Sequence, residues 1–93
     1  PLYRLNEAAS IMVSTDSQDE TDRLWDALTA NGGEPGRCGW LKDRFGVSWQ
    51  IVPTRLGELL GHEDRAAAGR VQDAMMTMQN IEIARLEAAF AGD

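Results

Sequence analysis

At 93 residues the chain is long enough for one small domain with a modest core, so self-association is an expected way to bury more surface. Its 43% hydrophobic and 26% charged residues suit a folded protein, and no apolar run approaches the roughly 20 residues that a membrane helix needs. A net charge of -6, with scattered arginines and one lysine, argues against a phosphate-binding surface and hence against nucleic acid as a partner.

The start, Pro1 to Glu7, carries no clear period. It shows no cationic leader followed by an apolar segment, so no export signal is expected. The single cysteine, Cys38, has no partner for an internal disulfide. Together with the acidic balance, this leads to the expectation of a cytoplasmic protein.

Ala8 to Ser14 is a short apolar run with β-branched residues and predicts a strand, Ile11 and Val13 on one face, Ser10 and Met12 on the other. Ser17 with Glu20 forms a capping-box pattern, and Asp19, Glu20 and Asp22 crowd a first helical turn where the dipole favours negative charge. Thr21, Leu24, Trp25 and Leu28 then share one helix face, and Asn31-Gly32-Gly33 ends it. Glu34 to Gly36 reads as a loop. Arg37 to Lys42 and Val47 to Val52 read as antiparallel strands around an Asp43-Arg44-Phe45-Gly46 turn, closed by Pro53.

After Pro53 the pattern turns helical. Thr54 is a candidate cap for a helix to Leu60, with Leu56, Leu59 and Leu60 apolar, broken at Gly61-His62-Glu63. Asp64 is a candidate cap for a second helix striped by Val71, Ala74, Met75 and Met78 and broken at Gln79-Asn80. Ile83, Leu86 and Phe90 predict a last helical face. A strand-helix-strand-strand unit leaves one sheet face open, to be met by a second copy, another module or the helical tail.

Asn6-Glu7-Ala8, Trp25-Asp26-Ala27-Leu28, Cys38 to Gly46 and Ser48-Trp49-Gln50-Ile51-Val52-Pro53 resemble the glyoxalase-like proteins called PhnB-like, some bearing a demethylubiquinone methyltransferase label. Leu56 to Leu60 and Arg70 to Met78 also fit that pattern. The resemblance places the chain in the vicinal oxygen chelate superfamily. It implies an α+β fold: one glyoxalase/bleomycin resistance-like βαβββ module over residues 1–53, with a helical extension over 54–93. It further implies a small strand near Glu34 to Gly36 that the residues themselves do not announce. Members build a cup from two modules and form homodimers. Only the second module is matched here, so the resemblance implies a homodimer or higher assembly, or a further module.

Metal-dependent relatives hold a His on the first strand and a Glu on the last, four residues after the Asp-x-x-Gly turn. Here those places carry Ala8 to Ser10 and Gln50. An uncharged amide is a weak ligand by itself, so no metal or other cofactor is expected. The candidate ligand-binding residues are Trp40, Trp49 and Gln50. The two tryptophans flank the turn and are placed to pair across the strands, and Gln50 points to the face opposite Trp49. Cys38 reads as a small core residue on a strand, His62 as a solvent-facing helix closure, and the Met75-Met76-Met78 cluster as core or seam. Three functions follow: a metal-free small-molecule binder, a metal-dependent lyase or dioxygenase-like enzyme completed by another module, or a non-catalytic assembly module. Methyl transfer is not expected, since no glycine-rich methyl-donor loop follows a strand.

Overall fold

The computed structural model of the chain describes residues 10–93. Strand β1 spans Ser10–Thr15, helix α1 Gln18–Thr29, and strands β2, β3 and β4 span Glu34–Pro35, Trp40–Lys42 and Ser48–Pro53. Helices α2 (Thr54–Leu60), α3 (Arg65–Met75) and α4 (Ile83–Ala91) follow. The result is an α+β unit with a four-stranded mixed sheet in the order β1-β4-β3-β2. β1 runs parallel to β4, and the other pairs are antiparallel. Ala8 and Ala9, the expected start of the first strand, lie outside the described residues.

Helix α1 begins as its sequence dictates. Ser17 Oγ accepts from the Glu20 N–H at 3.1 Å. The return leg of the box is displaced by one residue: Glu20 Oε1 accepts from the Asp16 N–H at 3.0 Å, not from the capping residue itself. Thr21 and Trp25 are buried against the sheet. Trp25, Leu41 and Ile51 form the core of this half, with Val13, Leu24, Leu28 and Trp49 packed around them. Two fully buried hydroxyls, Thr15 Oγ1 and Thr21 Oγ1, satisfy each other at 2.7 Å.

The segment read as a loop, Glu34 to Gly36, contains the short strand β2, which pairs Glu34 with Lys42 and Pro35 with Leu41. Two residues with a proline carry no period-two signal, so the residues themselves do not reveal the strand that the family resemblance implied. In the opposite direction, β3 is shorter than the expected Arg37 to Lys42. Cys38 and Gly39 take left-handed backbone (φ 57° and 85°), so Arg37 to Gly39 is a turn and Cys38 is not a strand residue.

That turn joins the two halves of the molecule. The N–H groups of Cys38 and Gly39 donate to the Met78 and Gln79 carbonyls at 2.9 and 2.8 Å, and the Gly39 carbonyl accepts from Ile51 N–H at 2.8 Å. A Cβ on Gly39 would stand 2.7 Å from the Ile51 carbonyl oxygen and 3.3 Å from Ile81 Cγ1. Gln18 ties the same region to α1. Its amide nitrogen donates to the Ile81 carbonyl at 2.9 Å, and its amide oxygen accepts from the Ile83 N–H at 2.7 Å.

The tail has its own core of Leu56, Leu59, Val71, Met78, Ile81 and Leu86. Ile81 is fully buried although no helical stripe includes it, because the connection between α3 and α4 is drawn inward at Gly39. Asp64 caps α3 as expected, its Oδ1 accepting from the Ala67 N–H at 3.1 Å. Thr54 does not cap α2: Pro53 occupies that position without a side-chain bond, and Thr54 is the first helical residue. α3 ends at Met75, ahead of the expected break at Gln79-Asn80, because residues 78 and 79 are engaged by the Cys38-Gly39 turn. Among the described sheet residues Val52 is the hydrophobic side chain that packs on the tail core, so the tail meets β4 at its end.

Two expectations follow. Gly39→Ala forces an alanine into left-handed backbone, worth roughly 1–2 kcal/mol, and adds the clash with Ile51. Its melting temperature falls by about 10 °C, measured by thermal circular dichroism. Gln18→Ala leaves β1–β4 intact but speeds amide hydrogen exchange at Ile83 and its neighbours, as the tail comes loose from α1.

Candidate functional site

The alternation of β4 decides which side chains share a face. Trp49 lies between Ile11 of β1 and Leu41 of β3, and Ile51 pairs with Val13. This is the face that α1 covers. Gln50 lies between Met12 and Trp40, and Ser48 between Ser10 and Lys42. This second face is the one that the described helices leave largely uncovered; Met12 is 61% exposed there.

The register is set by the turn before β4. Asp43 Oδ1 accepts from the N–H groups of Phe45 (2.9 Å) and Val47 (3.0 Å), and Gly46, at φ 83°, donates back to the Asp43 carbonyl at 3.0 Å. The other carboxylate oxygen, Oδ2, accepts from the Trp49 indole N–H at 3.0 Å. This indole bond, with the two backbone donors and neighbouring Arg44, holds the Asp43 carboxyl below its ordinary 3.8.

Of the three candidate residues, Trp40 and Gln50 stand opposite each other on the open face, while Trp49 stands on the other. The expected pairing of the two tryptophans across the strands does not form. Trp40 pairs with Gln50 and Trp49 with Leu41, because the register matches even positions with even and odd with odd. Gln50 does point away from Trp49. Its amide nitrogen donates to Ser10 Oγ at 3.1 Å. Gln50 is therefore in contact with Ser10, the one described residue of the first-strand stretch Ala8 to Ser10, as an amide on a hydroxyl. Among the described residues no group of three or more His, Cys, Asp or Glu is arranged to hold a metal ion.

Sequence reasoning missed two features of this face. Ser48 is fully buried, and its Oγ has no hydrogen-bond partner among the described residues. Gly36, Arg37, Trp40, Leu41 and Ser48 line a cavity of about 330 Å³ at the β2–β3 end. The weak signal for it was Ser48 itself, a polar residue at a strand position pointing the same way as Gln50.

The remaining singled-out residues have structural partners. His62 Nδ1 accepts from the Asp64 N–H at 3.0 Å, and its ring meets Phe90 edge-on at 4.9 Å. Cys38 Sγ lies 3.8 Å from Met76 Sδ. Met78 is core, while Met76 is exposed. Asp22 accepts from Gln18 and Asn80 at 2.8 and 2.7 Å.

A family model described as 3-demethylubiquinone-9 3-methyltransferase matches residues 1–52. The chain belongs to this glyoxalase-like family. The tail segments noted for their resemblance, Leu56 to Leu60 and Arg70 to Met78, lie beyond the matched residues. A solved structure, protein PA1353 from Pseudomonas aeruginosa, is 31% identical, covering 55% of this chain and 45% of that one at a TM-score of 0.48. The chain thus spans less than half the length of that protein. No curated protein matches.

The Asp43 contacts have a pH signature. Because the folded carboxyl titrates below its ordinary value, the stability it contributes is present above about pH 3.8 and is lost as pH falls through the lower folded value. Asp43→Asn keeps the shape and removes the charge. The variant melts below the natural chain at pH 7, and the difference closes in acid, read from melting curves across that range.

Proposed function

We propose that the chain is a small-molecule-binding, glyoxalase-like protein whose ligand lies on the open sheet face beside Trp40 and Gln50. The observation that carries this reading is the row Met12–Gln50–Trp40, which sets a thioether, an amide and an indole side by side across three strands. Such a surface suits a ligand with one flat apolar side and one hydrogen-bonding group. The order of one strand, one helix and three strands supports reading residues 1–53 as one module of the vicinal oxygen chelate type.

One module is half a cup. Strand β1 is an edge of the sheet, paired only with β4 among the described residues, and Ile11 and Met12 on it are 46% and 61% exposed. Exposed apolar residues on an unpaired edge favour addition of another strand. A second copy along β1 would extend the sheet and close the cup around Trp40 and Gln50.

The family label names methyl transfer. Within this chain the connection from β1 to α1 is Asp16-Ser17, without glycine; the Asp16 N–H donates to Glu20 Oε1, and Ser17 Oγ is taken by the Glu20 N–H. Nothing there resembles a cradle for a methyl donor. The metal-dependent alternative, a lyase or dioxygenase-like enzyme, starts from Ser10 and Gln50, two neutral oxygen donors. A divalent ion needs anionic oxygens or imidazoles besides, and these would come from another module. The reading therefore requires no metal.

Native mass spectrometry of the purified chain tests it. The expected result is a dimer or higher multimer without stoichiometric metal, shifted to monomer by Ile11→Lys, which places a charge on the β1 edge. A multimer carrying one divalent ion per site, lost in Gln50→Ala, replaces the binder with the enzyme. A monomer of the natural chain sinks completion of the cup by a second copy.

A further inference from the structure

We propose that the cavity beside Trp40 takes a small planar aromatic carboxylate. The proposal rests on the open-face binding site and names the class of ligand that site would select. Its volume of about 330 Å³ is at the small end of ligand pockets. Three of its residues carry unmet chemistry, each of a different kind.

Ser48 is 0% exposed, and its hydroxyl has no partner among the described residues. Buried hydroxyls are almost always hydrogen-bonded, since leaving one unpaired costs stability. Its side chain shares a face with Gln50 and Trp40, and Ser48 lines the cavity. A ligand oxygen seated there would satisfy it. Trp40 supplies a half-buried aromatic wall whose indole N–H makes no hydrogen bond among the described residues. Gly36 keeps this wall close: a Cβ there would meet the Trp40 carbonyl oxygen at 2.8 Å and Trp40 Cβ at 3.4 Å.

Arg37 is exposed, lines the same cavity and has no acidic partner among the described residues. By contrast Arg55 and Arg85 are bonded to Glu87 and Glu82. A planar guanidinium matches a carboxylate with two parallel bonds. One arginine in a chain of net charge -6 suits a monoanion better than a phosphate, which calls for several cations. Lys42, the other cation on this face, is already engaged. Ring on Trp40, carboxylate at Arg37 and an oxygen near Ser48 together define an aryl acid.

The test titrates the full chain with sodium benzoate, benzyl alcohol and sodium acetate by calorimetry. The Trp40 indole N–H resonance, assigned through Trp40→Phe, is followed in parallel. Benzoate is expected to move that resonance and to bind about tenfold tighter than benzyl alcohol, with acetate weakest. Arg37→Gln, an exposed change that the fold tolerates, is expected to erase the preference for benzoate while benzyl alcohol binds as before. Ser48→Ala is expected to weaken benzoate. Equal binding of benzoate and benzyl alcohol at Trp40 overturns the carboxylate class and leaves the open-face site standing. Benzoate binding that does not move the Trp40 resonance, or that Arg37→Gln leaves unchanged, overturns the proposal. If no aromatic probe binds, both the aryl acid and the small-molecule reading of this face fall.

Discussion

A single carboxylate sets the geometry of the sheet. Asp43 accepts from two backbone N–H groups of its own turn and from the indole of Trp49, six residues on. These bonds lock where β4 begins relative to β3. In a strand a shift of one residue exchanges every inward side chain with an outward one. With the register held, Trp49 and Ile51 enter the core under α1, and Ser48, Gln50 and Val52 fall on the other side. The character of both faces, one packed and one open, follows from that choice.

The second constraint is the junction at Gly39. Here the backbone of the sheet half bonds directly to the backbone of the tail, in a space that admits no side chain. Gln18 reinforces the junction by offering its amide to both sides of the same tail segment. Two small cores, neither large by itself, are thereby made into one folded unit. The tail is anchored at the end of β4 and does not spread over the sheet. The middle of the open face is thus left uncovered by the described helices.

Much of the candidate site was visible in the chain. The Asp-x-x-Gly turn and the alternation after it placed Gln50 opposite Trp49, and the register agrees. What was not visible is which residue stands across from which. Trp40 and Trp49 both flank the turn, yet a two-strand pattern does not say whether they meet. The turn hydrogen bonds decide that, and they put the tryptophans on opposite faces. Ser48 escaped notice for a related reason. A serine in a strand looks like a solvated position until neighbouring strands enclose it.

The sequence by itself determined the local elements whose signals are local. The Ser17 cap and the amphipathic face of α1, the Asp43 turn and the Asp64 cap are all written within a few residues, because each is stabilised by bonds between near neighbours. Tertiary structure alone decided the rest. β2 exists only because β3 lies beside it, α3 stops where a distant turn claims its following carbonyls, and Ile81 is buried by a glycine far away in the chain. The open face belongs to this second group. Its residues are brought together by pairing between strands distant in sequence, and no window along the chain contains them all.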